Sequence, residues 1–112
     1  MKRFGSVLRL HPEHIASYKQ LHAAVWPDVL DQIHRSNIRN YSIFLRQLDD
    51  GQTYLFSYFE YIGSDFAADM AQMAADPVTQ RWWVLCKPCQ NPLDSRDPDE
   101  WWAAMEEVFH CD

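Results

Sequence analysis

The tripeptide Asp49-Asp50-Gly51 constrains this chain more than any other feature. It separates two stretches of strand character, residues 38–48 and 53–61. An Asp-Gly step between such stretches is a strong hairpin signal. In the first stretch Tyr41, Ile43 and Leu45 alternate with Ser42, Phe44 and Arg46. The second, Thr53–Tyr61, is aromatic and apolar on both faces, as a central strand should be. An antiparallel pair is thereby fixed mid-chain, and the rest has to pack against it.

The flanks supply the packing elements. Residues 2–10 alternate well enough for a first strand. His11-Pro12-Glu13 then opens a helix: proline in a first turn loses no hydrogen bond, and Glu13 complements the positive end of the helix dipole. Ile15, Tyr18, His22 and Val25 follow at 3, 4 and 3 spacing on one face. Pro27 must break that helix. Residues 28–36 read as a second helical piece ended by Asn37. After the hairpin, Gly63-Ser64 is expected to cap a helix over 65–75, and Asp76-Pro77 to start another over 77–86. Residues 87–99, with Pro88, Pro92, Pro98 and several Asp, read as a loop. Residues 100–111 fit helix or strand. The alternation of Met105, Glu107 and Phe109 favours a last strand near 105–110. The order β-α-β-β-α-β is the ferredoxin-like α+β pattern, one antiparallel sheet with helices on one face. Such a sheet leaves its other face open. An open apolar face implies a partner, so a homodimer, sheet against sheet, is expected.

With 112 residues the chain is read as one domain, 1–112. The net charge of −6 is local. Residues 1–89 balance nine acids with nine bases, whereas 90–112 hold seven acids and only Arg96. No basic stripe exists, so nucleic acid is not an expected partner. No run approaches the ~20 apolar residues of a membrane helix, and the start is too charged for a signal peptide. Cys86, Cys89 and Cys111 are too few, and odd in number, for a disulfide framework. These features together predict a cytoplasmic protein. The aromatic fraction is high at 14%, with five Trp and five Tyr, and much of it must be core. Such rings suit ligands with an apolar face and a polar rim, as sugars have.

Four residues stand out for chemistry. Tyr18 and His22, four apart, stack on one helix face. Histidine is the acid/base that needs least tuning at neutral pH. A packed core histidine would have the same spacing, so spacing alone leaves both readings open. Trp82-Trp83 lies on a short helix where neighbours point about 100° apart. One of the pair is therefore free to face a cleft, although plain packing explains both equally well. Cys86-Lys87-Pro88-Cys89 has thioredoxin-like spacing but follows a helix instead of opening one. A zinc site there lacks two ligands, with only the adjacent His110 and Cys111 on offer. No metal and no cofactor is therefore expected. Phosphate loops, dinucleotide fingerprints and HExxH are all missing. A reaction needing only proton transfer leaves no such mark.

Several segments, in this order, resemble the L-rhamnose mutarotase family: Tyr18-Lys19-Gln20-Leu21-His22, Val25-Trp26-Pro27, Asn40-Tyr41-Ser42-Ile43, Gln80-Arg81-Trp82-Trp83 and Glu106-Glu107-Val108-Phe109. The resemblance spans nearly the whole chain. It implies a ferredoxin-like, dimeric α/β-barrel type of fold, a homodimer, and exchange of the α and β anomers of a 6-deoxy-L-hexose. It further implies His22 as the proton-transferring residue, with sugar contacts from Tyr18, Tyr41, Trp82 and Trp83. Tyr41 rests on the resemblance alone. The long acidic stretch 87–99 and the ending with Trp101-Trp102 and His110-Cys111 resemble a branch associated with L-fucose. L-Fucose is accordingly expected to be handled at least as well as L-rhamnose, with the Asp residues of 87–99 available to sugar hydroxyls. Two other readings share this fold: a small oxygenase acting on aromatic compounds, and a non-enzymatic sugar-binding or regulatory module. Fold alone does not separate them.

Overall fold

The computed structural model describes residues 1–112, the whole chain. β1 (Lys2–Leu10) leads through a 3-10 turn at Pro12–His14 into α1 (Ile15–Ala23) and α2 (Pro27–Arg35). β2 (Ile38–Gln47) and β3 (Thr53–Tyr61) form the hairpin. α3 (Phe66–Ala75) and α4 (Pro77–Cys86) follow, then two short strands, β4 (Gln90–Asn91) and β5 (Ala103–Met105). The sheet runs β2-β3-β1-β4 with β5 also on β1, and every pairing is antiparallel. This is the ferredoxin-like order that the sequence pattern implies.

Local chemistry explains most boundaries. Asp49-Asp50-Gly51 is a three-residue hairpin loop in which the Gly51 N–H donates to the Leu48 carbonyl at 2.9 Å. Gly51 sits at φ 81, a conformation that costs least without a Cβ. Pro27 opens α2, and Trp26 before it is extended at φ −60, ψ 134, as a residue preceding proline prefers. α1 has already stopped at Ala23, so Val25 lies beyond the helix whose face it was expected to share. Asn37, at φ 64, ends α2 in the left-handed conformation that asparagine tolerates. The cap of α3 is Asp65, not Gly63-Ser64: its carboxylate accepts from the Ala68 N–H at 3.1 Å. Asp76 caps α4 in the same way, accepting from the Thr79 N–H at 2.9 Å.

The fourth strand differs from expectation. It lies at 103–105 rather than near 105–110, and a fragment of it appears at 90–91 inside the expected loop. Arg9 faces Asn91, whereas Val7, two residues back, faces Ala103. The strand is therefore one ladder interrupted by an excursion that carries Trp101 and Trp102. The excursion is braced from within. Arg96 donates to the Leu93 and Glu100 carbonyls, both at 2.9 Å, and Arg9 donates to the Pro92 carbonyl at 2.7 Å. Continuing the β5 register sets Glu107 opposite Arg3, and there the ladder gives way to an ion pair at 2.8 Å. Alternation at 105–109 misled because it describes a chain still running beside β1 after its backbone pairing has ended.

The core lies between the helices and one sheet face. Leu8, Leu10 and Leu55 from the sheet meet Tyr18, Val29, Trp82, Cys86 and Cys89 from the helical side. Side chains buried this fully are worth ~1.5–3 kcal/mol each for a Leu. The opposite face carries Val7, Tyr54, Phe56 and Tyr58 and, largely in solvent, Phe44 at 65% exposure. A β-bulge interrupts the β2–β3 register between Arg39 and Ser42, where Asn40 and Tyr41 together oppose Phe59. Asn40 takes φ 51 there and donates to Glu60 at 2.7 Å. Because strand side chains alternate, the extra residue turns Tyr41, Ile43 and Leu45 toward the helices.

Candidate active site

α1 crosses the inner sheet face with Tyr18 and His22 one turn apart on its inward side. Their rings stack with centroids 4.1 Å apart and planes 21° apart. With Lys19 and Ala23 they wall a hollow of about 280 Å³ whose floor is Ile43, Leu45 and Leu55. A larger hollow of about 550 Å³ lies on the other side of α1, between Ser17, Gln20 and Leu21 and the rings of Trp26 and Trp82. His22 has no part in that wall. The larger hollow has an imidazole of its own, His14, but only in the smaller one is the imidazole, His22, stacked on a tyrosine and held by a hydrogen bond, so chemistry rather than volume makes it the candidate site.

His22 Nδ1–H donates to the Tyr18 carbonyl oxygen at 3.0 Å. A carbonyl is acceptor only, so the bond holds the neutral ring in the tautomer with an unprotonated Nε2. Burial lowers the His22 pKa from its ordinary value of 6.5, against a smaller opposing effect of that backbone bond. The ring is therefore a neutral base at pH 7, with one nitrogen committed and the other free. Its edge meets Trp82, centroids 5.3 Å apart, and Trp82 in turn meets Trp26 at 5.2 Å.

Tyr18 is 4% exposed, and burial pushes its hydroxyl above the ordinary phenol range. It stays a neutral hydroxyl, not a phenolate. Its oxygen accepts from Gln90 Nε2 at 3.2 Å, and Gln90 Oε1 accepts from the Trp101 indole N–H at 2.7 Å. Sequence reasoning missed Gln90, because residues 87–99 read as unpaired loop. The pairing of Leu10 with Gln90, which turns the amide inward beside a core leucine, is invisible without the register.

The remaining sequence candidates divide. Tyr41 keeps 41% of its surface open and packs on Phe59 at 5.5 Å, while burial pushes its hydroxyl up to about 12. The two facts agree if the phenol tip is the inward end, as the bulge directs, although Tyr41 walls neither hollow. Of the tryptophan pair, Trp82 is buried and reaches His22, whereas Trp83 is half-buried and walls neither hollow. Lys87 Nζ sits 5.2 Å from the ring centroids of both Trp83 and Trp101. None of the Asp residues of 87–99 walls either hollow, contrary to the expectation that they meet sugar hydroxyls. Asp94 instead faces Arg9 at 3.5 Å. Cys86 and Cys89 are buried core thiols, and burial pushes Cys86 up to about 12. No group of three His, Cys, Asp or Glu side chains comes together as metal ligands would. No helix is long and apolar enough to cross a membrane.

Fold and site together define a small ferredoxin-like α+β enzyme domain of the dimeric-barrel type with a histidine-centred cleft. The solved L-rhamnose mutarotase of Formosa agariphila superposes with a TM-score of 0.72 at 21% identity, all of both chains being covered. Tetracenomycin F2 cyclase from Streptomyces glaucescens, a type II polyketide cyclase, superposes at 0.61 with 18% identity over all of both chains. At those identities the likeness concerns the fold. Sequence carries the rest. The family model for L-rhamnose mutarotase matches residues 3–111. L-Rhamnose mutarotases of Oceanobacillus iheyensis and Bacillus subtilis are each 30% identical over 112 residues, and that of Burkholderia orbicola is 32% identical over 114, with 100% of both chains covered in every case. The chain belongs to the L-rhamnose mutarotase family and is an isomerase. Of the three readings that the residues left open, this match selects the mutarotase.

Proposed function

We propose that this protein interconverts the α and β anomers of L-rhamnose, with His22 as the proton-transferring residue. The observation that carries the reading is the committed Nδ1 of His22, which makes Nε2 the available base in the hollow. Anomer exchange needs the ring to open and reclose. Nε2 takes the proton of the C1 hydroxyl while the Tyr18 hydroxyl, or a water, protonates the ring oxygen. The bond from C1 to the ring oxygen breaks, giving the open aldehyde. Rotation about C1–C2 and the reverse transfers then close the other anomer. Acid/base help of this kind is worth ~10²–10⁴ in rate. Tyr18, Tyr41 and Trp82 are the proposed sugar contacts, and Trp83 stands at the margin beside Lys87.

The homodimer belongs to the same proposal. Only 17 of 112 residues are buried in the single chain, while Phe44 and the last segment, with Val108 at 88% and Phe109 at 80% exposure, remain in solvent. Burying such side chains against a second copy is the arrangement that serves them best. A cytoplasmic setting accords with three free cysteines.

Magnetisation-exchange NMR on the anomeric protons tests the reading. L-Rhamnose exchange should rise in proportion to added protein, and no rise over buffer would refute the proposal. L-Fucose is the second arm, because the acidic stretch 87–99 and the ending with Trp101-Trp102 resemble a branch associated with that sugar. The two sugars differ at C2 and C4, so polar contacts must discriminate between them.

A further inference from the structure

We propose that Trp101 and Gln90 are positioning residues that fix the hydrogen-bonding polarity of Tyr18, making its hydroxyl an obligatory donor toward the sugar. This rests on the reading that Tyr18 meets the sugar. The chain of reasoning starts at the indole. Trp101 Nε1–H is a donor with no acceptor capacity. Its partner in Gln90, 2.7 Å away, must therefore be the amide oxygen. The other end of that amide, the NH₂, is then the end that Tyr18 meets at 3.2 Å. An NH₂ group only donates, so the Tyr18 oxygen accepts. Its own proton is left to point elsewhere, and the hollow walled by Tyr18 and His22 is the open side. A tyrosine without this lock can turn its proton to either side. Here the indole, through one glutamine, removes that freedom.

The geometry is built for the purpose. Gln90 is 8% exposed and anchored in the ladder opposite Leu10. Trp101 arrives from the excursion of the fourth strand, which Arg96 and Arg9 brace. Lys87 holds the indole ring from one side, 5.2 Å from its centroid. A buried Gln with an ambiguous partner could flip at little cost, whereas this one cannot flip without setting its NH₂ against the indole N–H, donor against donor. The excursion thus has a task at the cleft although none of its acids reaches it.

Two variants probe the lock, in the wild-type and Tyr18→Phe backgrounds, each followed by L-rhamnose exchange and by thermal unfolding. Trp101→Phe keeps a ring for Lys87 and deletes the donor. Gln90 can then turn, and kcat/KM should fall about two- to tenfold, the worth of one hydrogen bond. Gln90→Glu places an acceptor-only carboxylate between two donors, so Tyr18 turns its proton away from the sugar. Protonated, the same side chain again offers Tyr18 an O–H. The activity of Gln90→Glu relative to wild type should therefore climb as pH falls, in samples that thermal unfolding shows to be fully folded at each pH, because protonating a buried carboxylate also relieves a loss of stability. With Tyr18→Phe in place, neither change should matter further, since the group they act through is gone. Equal effects in both backgrounds, or a pH-independent ratio, would overturn the inference. A Tyr18→Phe protein that exchanges L-rhamnose normally would instead remove the sugar-site reading, and this inference with it. A defective Tyr18→Phe beside an unaffected Trp101→Phe overturns the inference alone.

Discussion

His22 gives its Nδ1 proton to the carbonyl oxygen of Tyr18, one turn earlier on α1, while the two rings stack at 4.1 Å. The helix backbone thus sets the tautomer of the ring, and the neighbouring side chain sets its tilt. Neither task needs a carboxylate, and none hydrogen-bonds this imidazole. Without such a partner nothing raises the His22 pKa enough to offset burial, so it lies below 6.5.

Activity should accordingly be level across neutral pH. It should fall by about tenfold per pH unit once His22 protonates at its lowered pKa, since the protonated ring is no base. Stability should move the same way. Between the folded-state pKa and the unfolded value of 6.5 the unfolded chain binds more protons, so folding is favoured by raising the pH and weakened as pH falls through that window. Urea titrations of wild type and His22→Gln at pH 7.5 and 5 check this. The stability difference between them should shift in favour of the variant at pH 5, and an unchanged difference would contradict the lowered pKa.

Asn40 offers a test of how the bulge aims Tyr41. At φ 51 a side chain branched at Cβ is strained, so Asn40→Val should cost about 1–3 kcal/mol. It also removes the bond to Glu60. Asn40→Gly keeps the backbone conformation and should lose less. If the bulge matters to the site, Asn40→Val should raise KM in the folded protein while Asn40→Gly leaves it near wild type. Equal KM values would show that Tyr41 is placed by its packing on Phe59 alone.

The sequence made the hairpin, the Pro27 break, the Asn37 stop and the pairing of Tyr18 with His22 legible, because each rests on residues near one another in the chain. What it concealed depends on contacts between distant segments. The fourth strand is split because β1 accepts Gln90 and Ala103 on one edge, and nothing local announces a shared edge. Gln90 becomes part of the cleft only through that split. Trp101 stood out only as part of an ending like that of the L-fucose branch, yet its N–H fixes which end of the Gln90 amide faces Tyr18. The acids of 87–99 looked available to a sugar, and instead they wall neither hollow, with Asp94 facing Arg9 at 3.5 Å.

The open sheet face supplies the next prediction. Phe44 lies on β2 opposite Phe56, with its ring in solvent. If a second copy covers this face, Phe44→Glu buries a charge in the interface and should shift the dimer toward monomer by several kcal/mol of association free energy. Sedimentation at tens of micromolar should find the wild type as a dimer and the variant largely as a monomer. A wild-type monomer there would remove the homodimer.

The last prediction separates chemistry from packing at His22. Glutamine has similar bulk and a hydrogen-bonding tip, and its amide N–H can replace Nδ1–H toward the Tyr18 carbonyl. His22→Gln should therefore fold and bind L-rhamnose nearly as wild type does. It has no basic nitrogen, so catalysed exchange should fall about 10²-fold or more, the worth of a positioned acid/base. Trp83→Ala should act differently. It removes a half-buried ring beside Lys87 and should raise KM more than it lowers kcat. A packed core histidine predicts the opposite for His22→Gln: a lower melting temperature, with the folded fraction exchanging anomers at the normal rate. Melting temperature and exchange rate measured on one sample distinguish the two. A destabilised but fully active His22→Gln protein would end the assignment of His22 as the proton carrier, and the base would then have to be sought among the hydroxyl groups and water at the cleft.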